Sequence, residues 1–477
     1  MHPIEQALIF AINKYPHTPL VIAYSGGVDS QVLLHTLASL KQKSLFSNPI
    51  RVCHVNHGLS ENAEQWQAFA KQQCLHVSLP ITVCQVNIQA QAQQSLEALA
   101  REARYQALQS ISTEASVIIT GHHCDDQAET FLLALKRGSG LKGLAAMAAE
   151  TKQGKNLLVR PLLNISRAQI VDYANAHDLT WVEDESNKDT RFDRNFIRNE
   201  VMPTLTKRWL GIVTTINRSS DHCRDGQLLL DELAREDLKV CQHELDSLLV
   251  SELSQLSVAR FNNLIRYFLA LRQCLMPSTE QLTQLQQQLN ANEDKNPAVK
   301  VGRHFFRRYK SALYLTADFD DISDWQIEFE GDLFKESSLN EKRLVELPDN
   351  LGALQIFATH QAQSKNIESK GVDNKGLDSK ESLLVLPTKA QKVTLRFSHD
   401  NPTCLPDYRH HSRSLKKVLQ ELNIPPWQRK RMPFLYYDDV LVAVVGYFVC
   451  QAFMAKVSSP QASLPQAPPS LKIIWTA

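Results

Sequence analysis

The chain reads as α/β: a doubly wound parallel sheet, followed by a helical domain and a small mixed α+β domain at the C-terminal end. Three observations predict this. Short apolar runs alternate with helix-period stretches over residues 1–208. From Trp209 to Asn290 the sequence is rich in leucine and glutamine and carries no strand signal. After Trp325, short β-like runs return.

The strand candidates of the first region are Leu20–Tyr24, Ile50–Val55, Ile81–Val86 and Ser116–Gly121. Helical patterns lie between them at Ser30–Lys41, Glu61–Cys74 and Ser95–Ser112. In the last of these, Leu96, Leu99, Ala103, Ala107 and Ile111 repeat at helical spacing and leave Arg101 and Arg104 off the apolar stripe. Such βα alternation places ligands at the carboxyl ends of the strands. Three motifs fall there: Ser25–Ser30, His54–Gly58 and Gly121–Asp126.

We expect domains at 1–208, 209–320 and 383–477, with 321–382 connecting the last two. Within the connector, Gln361–Ser382 is nearly devoid of apolar residues and cannot offset its ordering entropy, so it is expected to be a disordered insertion. Val440–Cys450 is apolar but far short of the ~20 residues of a membrane helix, and its valines and Gly446 predict one or two buried strands. Ser458–Ser470 reads as loop. The 477 residues carry a net charge of +1 and 43% hydrophobic side chains, enough for real cores but not for a global cationic field. Nine cysteines without a C-x-x-C pair suit reduced thiols, and Ala7–Ile12 lacks a basic flank, so a cytoplasmic protein with no membrane partner is expected.

Ser25-Gly26-Gly27-Val28-Asp29-Ser30 joins an apolar strand to a helix. The glycines let backbone N–H groups approach a phosphate, and the helix start adds unpaired donors. The same residues also suit a plain strand–turn–helix corner. Asn56 and Gly121 end the neighbouring strands and join the candidate nucleotide-binding set. The loop lacks the G-K-[ST] ending of the ordinary P-loop; its wording resembles the PP-loop (SGGxDS) of the ATP pyrophosphatases.

Gly121-His122-His123-Cys124-Asp125-Asp126-Gln127-Ala128-Glu129 opens another helix. Asp125, Asp126 and Glu129 converge at i,i+3 and i,i+4 spacing, which fits either Mg²⁺ or simple N-terminal capping. Zinc does not fit, because adjacent ligands cannot close a tetrahedron. Downstream, Arg191, Arg194 and Arg198 suit either a grip on phosphate or carboxylate or a surface ion-pair net. Later, Arg307 and Arg308, then Arg413, Lys416 and Lys417, then Trp427 with Arg429, interleave cations with aromatics, as RNA-binding clusters and solvated faces both do.

Taken in order, SGGVDS, HVNHGL, AREARY, GHHCDDQAETFLLALKRGSGLKGL, RPLL, WVEDESN and RFDRNFIRNEVMP resemble the tRNA(Ile)-lysidine synthetases. Two later stretches, PSTEQL…VKVGRHFFRRYKSALYL and SRSLKKVLQELNIPPWQRKRMPFLYYDDVLVAV, resemble that family's C-terminal regions. The insertion Gln361–Ser382 has no part in the pattern, and Ser398-His399-Asp400-Asn401 stands where glycines are expected. The resemblance implies a Rossmann-like PP-loop domain that uses ATP to adenylate C2 of the wobble cytidine in the CAU anticodon of tRNA(Ile), then attaches L-lysine there. It implies that Ser25–Ser30 holds pyrophosphate, with Asp29 and Asp126 near Mg²⁺. It places His122, Glu129, Arg104, Arg194 and Arg198 at the reacting centre, Glu129 toward the lysine amine and the arginines toward adenylate or the lysine carboxylate. The later clusters would contact tRNA. Monomer and homodimer both remain open. The missing cysteine pair counts against a sulfur-transferring relative, and a non-catalytic nucleotide sensor would bind ATP without releasing pyrophosphate.

Overall fold

The computed structural model describes residues 1–58, 60–86, 96–111, 114–289, 297–330, 339, 341–359, 380–388, 390–455 and 469–476. The chain divides into two compact units, Met1–Glu236 and Asp237–Ala477.

The first unit is built on a six-stranded sheet. Its strands are β1 (Leu20–Ala23), β2 (Ile50–Asn56), β3 (Ile81–Gln85), β4 (Val117–Ile119), β5 (Glu150–Gln153) and β6 (Asn156–Val159). They lie in the order β3-β2-β1-β4-β6-β5. All neighbours are parallel except β5, which pairs antiparallel with β6 as a hairpin. That hairpin is absent from the sequence expectation, which stopped at four strands. Helices α1 (Pro3–Ile12), α2 (Val28–Gln42), α3 (Ala63–His76), α4 (Leu96–Ser110) and α5 (Cys124–Lys136) include the three predicted crossovers within a few residues. Leu20 and Ile22 from β1, Val32, Leu33 and Leu37 from α2, and Ile170 and Tyr173 from the helix Arg167–Ala176 form a fully buried core. Strand order reverses between β1 and β4, so the segments after these two strands face one crevice.

The second unit holds the expected helices Val258–Leu271 and Thr279–Leu289, but also a five-stranded antiparallel sheet. Two of its strands, Gln242–Glu244 and Ser247–Leu249, lie where no strand was expected. Each is only three residues long, too short to show a period of two. The stretch expected to be a connector is also corrected. Gln326–Glu330 pairs with Lys392–Arg396, and Ala353–Thr359 pairs with Ser470–Thr476, so the five-stranded and four-stranded C-terminal sheets draw strands from it. Residues 361–379 of the expected insertion lie outside the described residues, whereas Lys380–Val385 is a strand on Ser470–Thr476. Of the expected loop Ser458–Ser470, 458–468 also lies outside the described residues, and Ser470 opens a strand. Val440–Val444 and Phe448–Val449 form two strands where one or two buried strands were predicted, turning at Gly446 with φ +78°. Where glycines were expected after Arg396, Asn401 takes the left-handed conformation (φ +53°), one that asparagine tolerates. Its side chain accepts the Lys416 N–H at 2.8 Å, at the start of the helix Leu415–Glu421.

Candidate active site

The loop after β1 is folded around its own serines. Ser30 Oγ accepts from the N–H groups of Ser25 (3.2 Å) and Gly26 (3.1 Å) and donates to the Gly27 carbonyl (2.9 Å). Gly26 sits at φ +90°, and a Cβ there would lie 2.8 Å from Val182, whose N–H donates to the Gly26 carbonyl. Glycine is therefore required on two counts. Gly27 caps α2 without a side-chain acceptor, leaving the first N–H groups of a fifteen-residue helix facing the crevice. Asn56 shapes the turn after β2 by accepting the Gly58 N–H at 2.9 Å. Gly121 lets the β4 end approach the Asp29 backbone, which a Cβ would meet at 3.1 Å.

Asp29 and α5 meet across the crevice through a residue the sequence reading did not place in the site. His123 is 1% exposed, with Nε2 at 3.6 Å from Asp29 and 3.4 Å from Asp126, and Nδ1 at 3.6 Å from Asp125. These carboxylates raise its pKa against its burial. The available signal was a histidine three residues ahead of Asp126, whose carboxylate accepts the His123 N–H at 3.1 Å at the start of α5. Asp125 also accepts the Arg167 N–H at 2.8 Å and titrates low, at about 2, because hydrogen bonds outweigh its desolvation. Asp29 is pushed the other way, upward, by burial and by Asp126. Its Oδ1 is buried with no hydrogen-bond partner.

Two of the three arginines expected at the reacting centre, Arg194 and Arg198, reach this point. Arg194 contacts Glu129 (3.0 Å) and Asp126 (3.1 Å). Arg198 contacts Glu129 through Nε (2.6 Å) and Asp126 through its terminal nitrogen (2.9 Å). Glu129 is 3% exposed and Asp126 10%, so this is a desolvated network of two carboxylates and two guanidiniums. The alternative of a surface ion-pair net fits Arg191 instead, which is 89% exposed and paired with Asp189. His122 hydrogen-bonds Thr120 at 2.8 Å. Arg104 donates to His57 Nε2 at 3.3 Å.

The second unit treats the predicted RNA contacts differently. Arg307 stacks over Phe305 and Trp427, with its carbon 4.6 and 5.8 Å from the ring centres. Arg308 donates to the carbonyls of Gln288 and Leu289. Arg429 donates to Ile424 O at 2.7 Å, and Arg413 pairs with Glu421 at 2.8 Å. Lys416 and Lys417 are exposed.

A glycine-bearing loop between strand and helix at the switch point of a parallel sheet, with acidic side chains across the crevice, matches the PP-loop class of ATP-using enzymes. A family model described as PP-loop domain matches residues 1–205, and models described as TilS substrate binding domain and TilS substrate C-terminal domain match 248–314 and 393–465. The tRNA(Ile)-lysidine synthase of Serratia proteamaculans (strain 568) is 42% identical over 437 residues, covering 91% of this chain and 92% of that one. Those of Histophilus somni (strain 129Pt) and Coxiella burnetii (strain RSA 493 / Nine Mile phase I) are 36% and 38% identical, covering 93% and 95% of this chain and 98% and 94% of theirs. The chain belongs to the tRNA(Ile)-lysidine synthase family.

Proposed function

We propose that this chain forms lysidine on tRNA(Ile) in two steps at the crevice between β1 and β4, and that it works in the cytoplasm. No helix among the described residues is long and apolar enough to cross a membrane. In the first step the C2 oxygen of the wobble cytidine in the CAU anticodon bonds to the α-phosphorus of ATP, and the bond to pyrophosphate breaks. In the second, the neutral amine of L-lysine bonds to C2, AMP departs with that oxygen, and the amine gives up its proton. The observation that carries the reading is the convergence of Asp29, Asp126, Glu129, Arg194 and Arg198 beside the Ser25–Ser30 loop.

The N–H groups of Ser25 and Gly26 and the α2 start receive the departing pyrophosphate, exchanging the Ser30 hydroxyl for phosphate oxygens. The donor set suits Mg²⁺. Two carboxylates flank the crevice, Asp29 Oδ1 accepts no hydrogen bond among the described residues, and magnesium prefers few protein oxygens completed by substrate phosphates. Asp29 and Asp126 would hold it, and bound there it neutralises phosphate charge. Among the described residues, no group of three or more His, Cys, Asp or Glu is placed to hold a metal by itself.

Glu129 has both oxygens engaged by arginines, which makes it an anchor for cations before it is a base. A lysine ammonium binds there by replacing one guanidinium, and the released arginine then meets the adenylate or the lysine carboxylate. The test is incubation with ATP, labelled lysine and a tRNA(Ile) transcript bearing CAU. Lysine-modified cytidine, AMP and pyrophosphate are expected in equal amounts. ATP binding without lysine incorporation overturns the reading in favour of a sensor.

A further inference from the structure

His57 immediately follows β2, whose carboxyl end lies beside that of β1 in parallel register. Arg104 on α4 donates its Nε–H to His57 Nε2 at 3.3 Å. A guanidinium carries no acceptor, so Nε2 must supply the lone pair. Burial, reinforced by the Arg104 cation, lowers the His57 pKa to about 4, so the ring is neutral near pH 7. A neutral imidazole with Nε2 accepting carries its proton on Nδ1. That Nδ1 is buried and has no hydrogen-bond partner among the described residues.

A second histidine ties this place to the phosphate loop. His54, on β2, has its Nδ1 at 3.1 Å from the carbonyl oxygen of Tyr24, the residue before Ser25. A carbonyl only accepts, so His54 donates there. The ordinary explanation of the His57 orphan is a tolerated packing defect. A buried donor without an acceptor is costly enough to ask what the donor is for. Its position at a strand's carboxyl end, beside the loop that receives phosphates, supplies the answer.

We propose that Arg104 fixes His57 as the Nδ1–H tautomer and that this N–H donates a hydrogen bond to an oxygen of a bound nucleotide. The inference rests on the reading that the crevice binds nucleotides. The nucleotide comes from one of two sources, ATP or the RNA.

Nitrogen-15 NMR of the full-length protein labelled at histidine tests it, with His57→Gln identifying the resonance. The expected result is a proton on Nδ1 of the free protein, and an Nδ1 shift on adding either adenosine 5′-(α,β-methylene)triphosphate or the tRNA(Ile) transcript. Whichever ligand moves it identifies the source. A proton on Nε2, or a resonance that neither ligand moves, overturns the proposal. In parallel, His57→Phe is expected to slow pyrophosphate release at least about 10-fold, the loss of one good hydrogen bond. His57→Gln, whose amide offers both an acceptor and a donor, recovers most of that rate. Wild-type turnover in His57→Phe also overturns the proposal. A protein that shows the Nδ1 response but incorporates no lysine overturns the lysidine reading and leaves this one standing.

Discussion

Asp126 and Glu129 in the first unit are almost out of solvent and bind two arginines brought from a distant segment. Lys416 and Lys417 in the second unit stand in water on one turn of a short helix. The same charged residue types therefore face opposite energetics. In the crevice each charge was desolvated at a cost that only its partners offset, and removing one partner exposes that cost. On the surface a charge is nearly free to place and contributes through long-range attraction to polyanions, which salt screens. Under the proposed function, convergence would mark the chemistry of this chain and exposure the docking of its large substrate.

The largest effect expected from this contrast is at Asp29. Asp29→Asn is expected to lower turnover by about 10²-fold or more, since a carboxylate facing phosphates is lost. Its folding stability should hold or rise. The Asp29 pKa is raised, so the carboxyl favours the fold when protonated and opposes it as pH rises through its folded value. Asparagine removes that opposition at neutral pH. A Tm well below wild type at pH 7 would count against a carboxylate strained in the free enzyme.

Glu129→Gln comes next and should do the reverse to stability. It leaves Arg194 and Arg198 facing a neutral amide in a nearly buried place, at a cost of about 2–4 kcal/mol, with activity also lost. Denaturant unfolding measures the first, and lysine incorporation the second. A stable but inactive variant would make Glu129 a catalytic group without the anchoring role given to it above.

Asp125 sharpens the comparison by pH. Its pKa is lowered to about 2, so its stabilisation is complete above the ordinary carboxylate range near pH ~4 and disappears as pH falls through about 2. Asp125→Asn is expected to lose about 1–2 kcal/mol at pH 7, discounted because a third of the side chain meets water. The difference from wild type should vanish at the acid end of an unfolding series. A pH-independent difference would assign the loss to packing.

Much of this was legible in the sequence, and the exceptions share one cause. The Ser25–Ser30 loop, the crossovers and the Val440–Cys450 hairpin are written in local spacing, which periodicity and glycine chemistry decode. The carboxylate pair on α5 was visible for the same reason, but its closure with Arg194 and Arg198 is a contact between segments far apart in sequence. Residue types alone could not choose between that closure and a surface net. His123 was hidden because its contact with Asp29 crosses the crevice between distant segments, although Asp125 and Asp126 lie beside it in sequence. The strands at Gln242–Glu244 and Ser247–Leu249 were hidden because they form a hairpin of three-residue strands with no pattern of its own, joined to the sheet by the pairing of Ser247–Leu249 with the distant Ala312–Tyr314. In the cationic clusters the sequence named the residues but not which of them the fold keeps for itself.

That last distinction yields the smallest and most discriminating prediction. Arg308 belongs by sequence to an RNA-binding cluster, yet it donates to two backbone carbonyls at the end of the helix Thr279–Leu289. Arg308→Ala is expected to destabilise the second unit by about 1–3 kcal/mol. The effect on tRNA affinity should be slight at temperatures where the unit stays folded. Lys416→Ala with Lys417→Ala should behave oppositely, with unchanged Tm, tRNA binding weakened several-fold, and a salt dependence reduced by about one to two phosphate contacts. Both measurements use the same protein and the same transcript, so stability and affinity separate cleanly. Equal salt slopes in wild type and the double variant would move the docking surface away from the helix Leu415–Glu421. A reduced slope for Arg308→Ala would return that arginine to the RNA interface despite its carbonyl contacts.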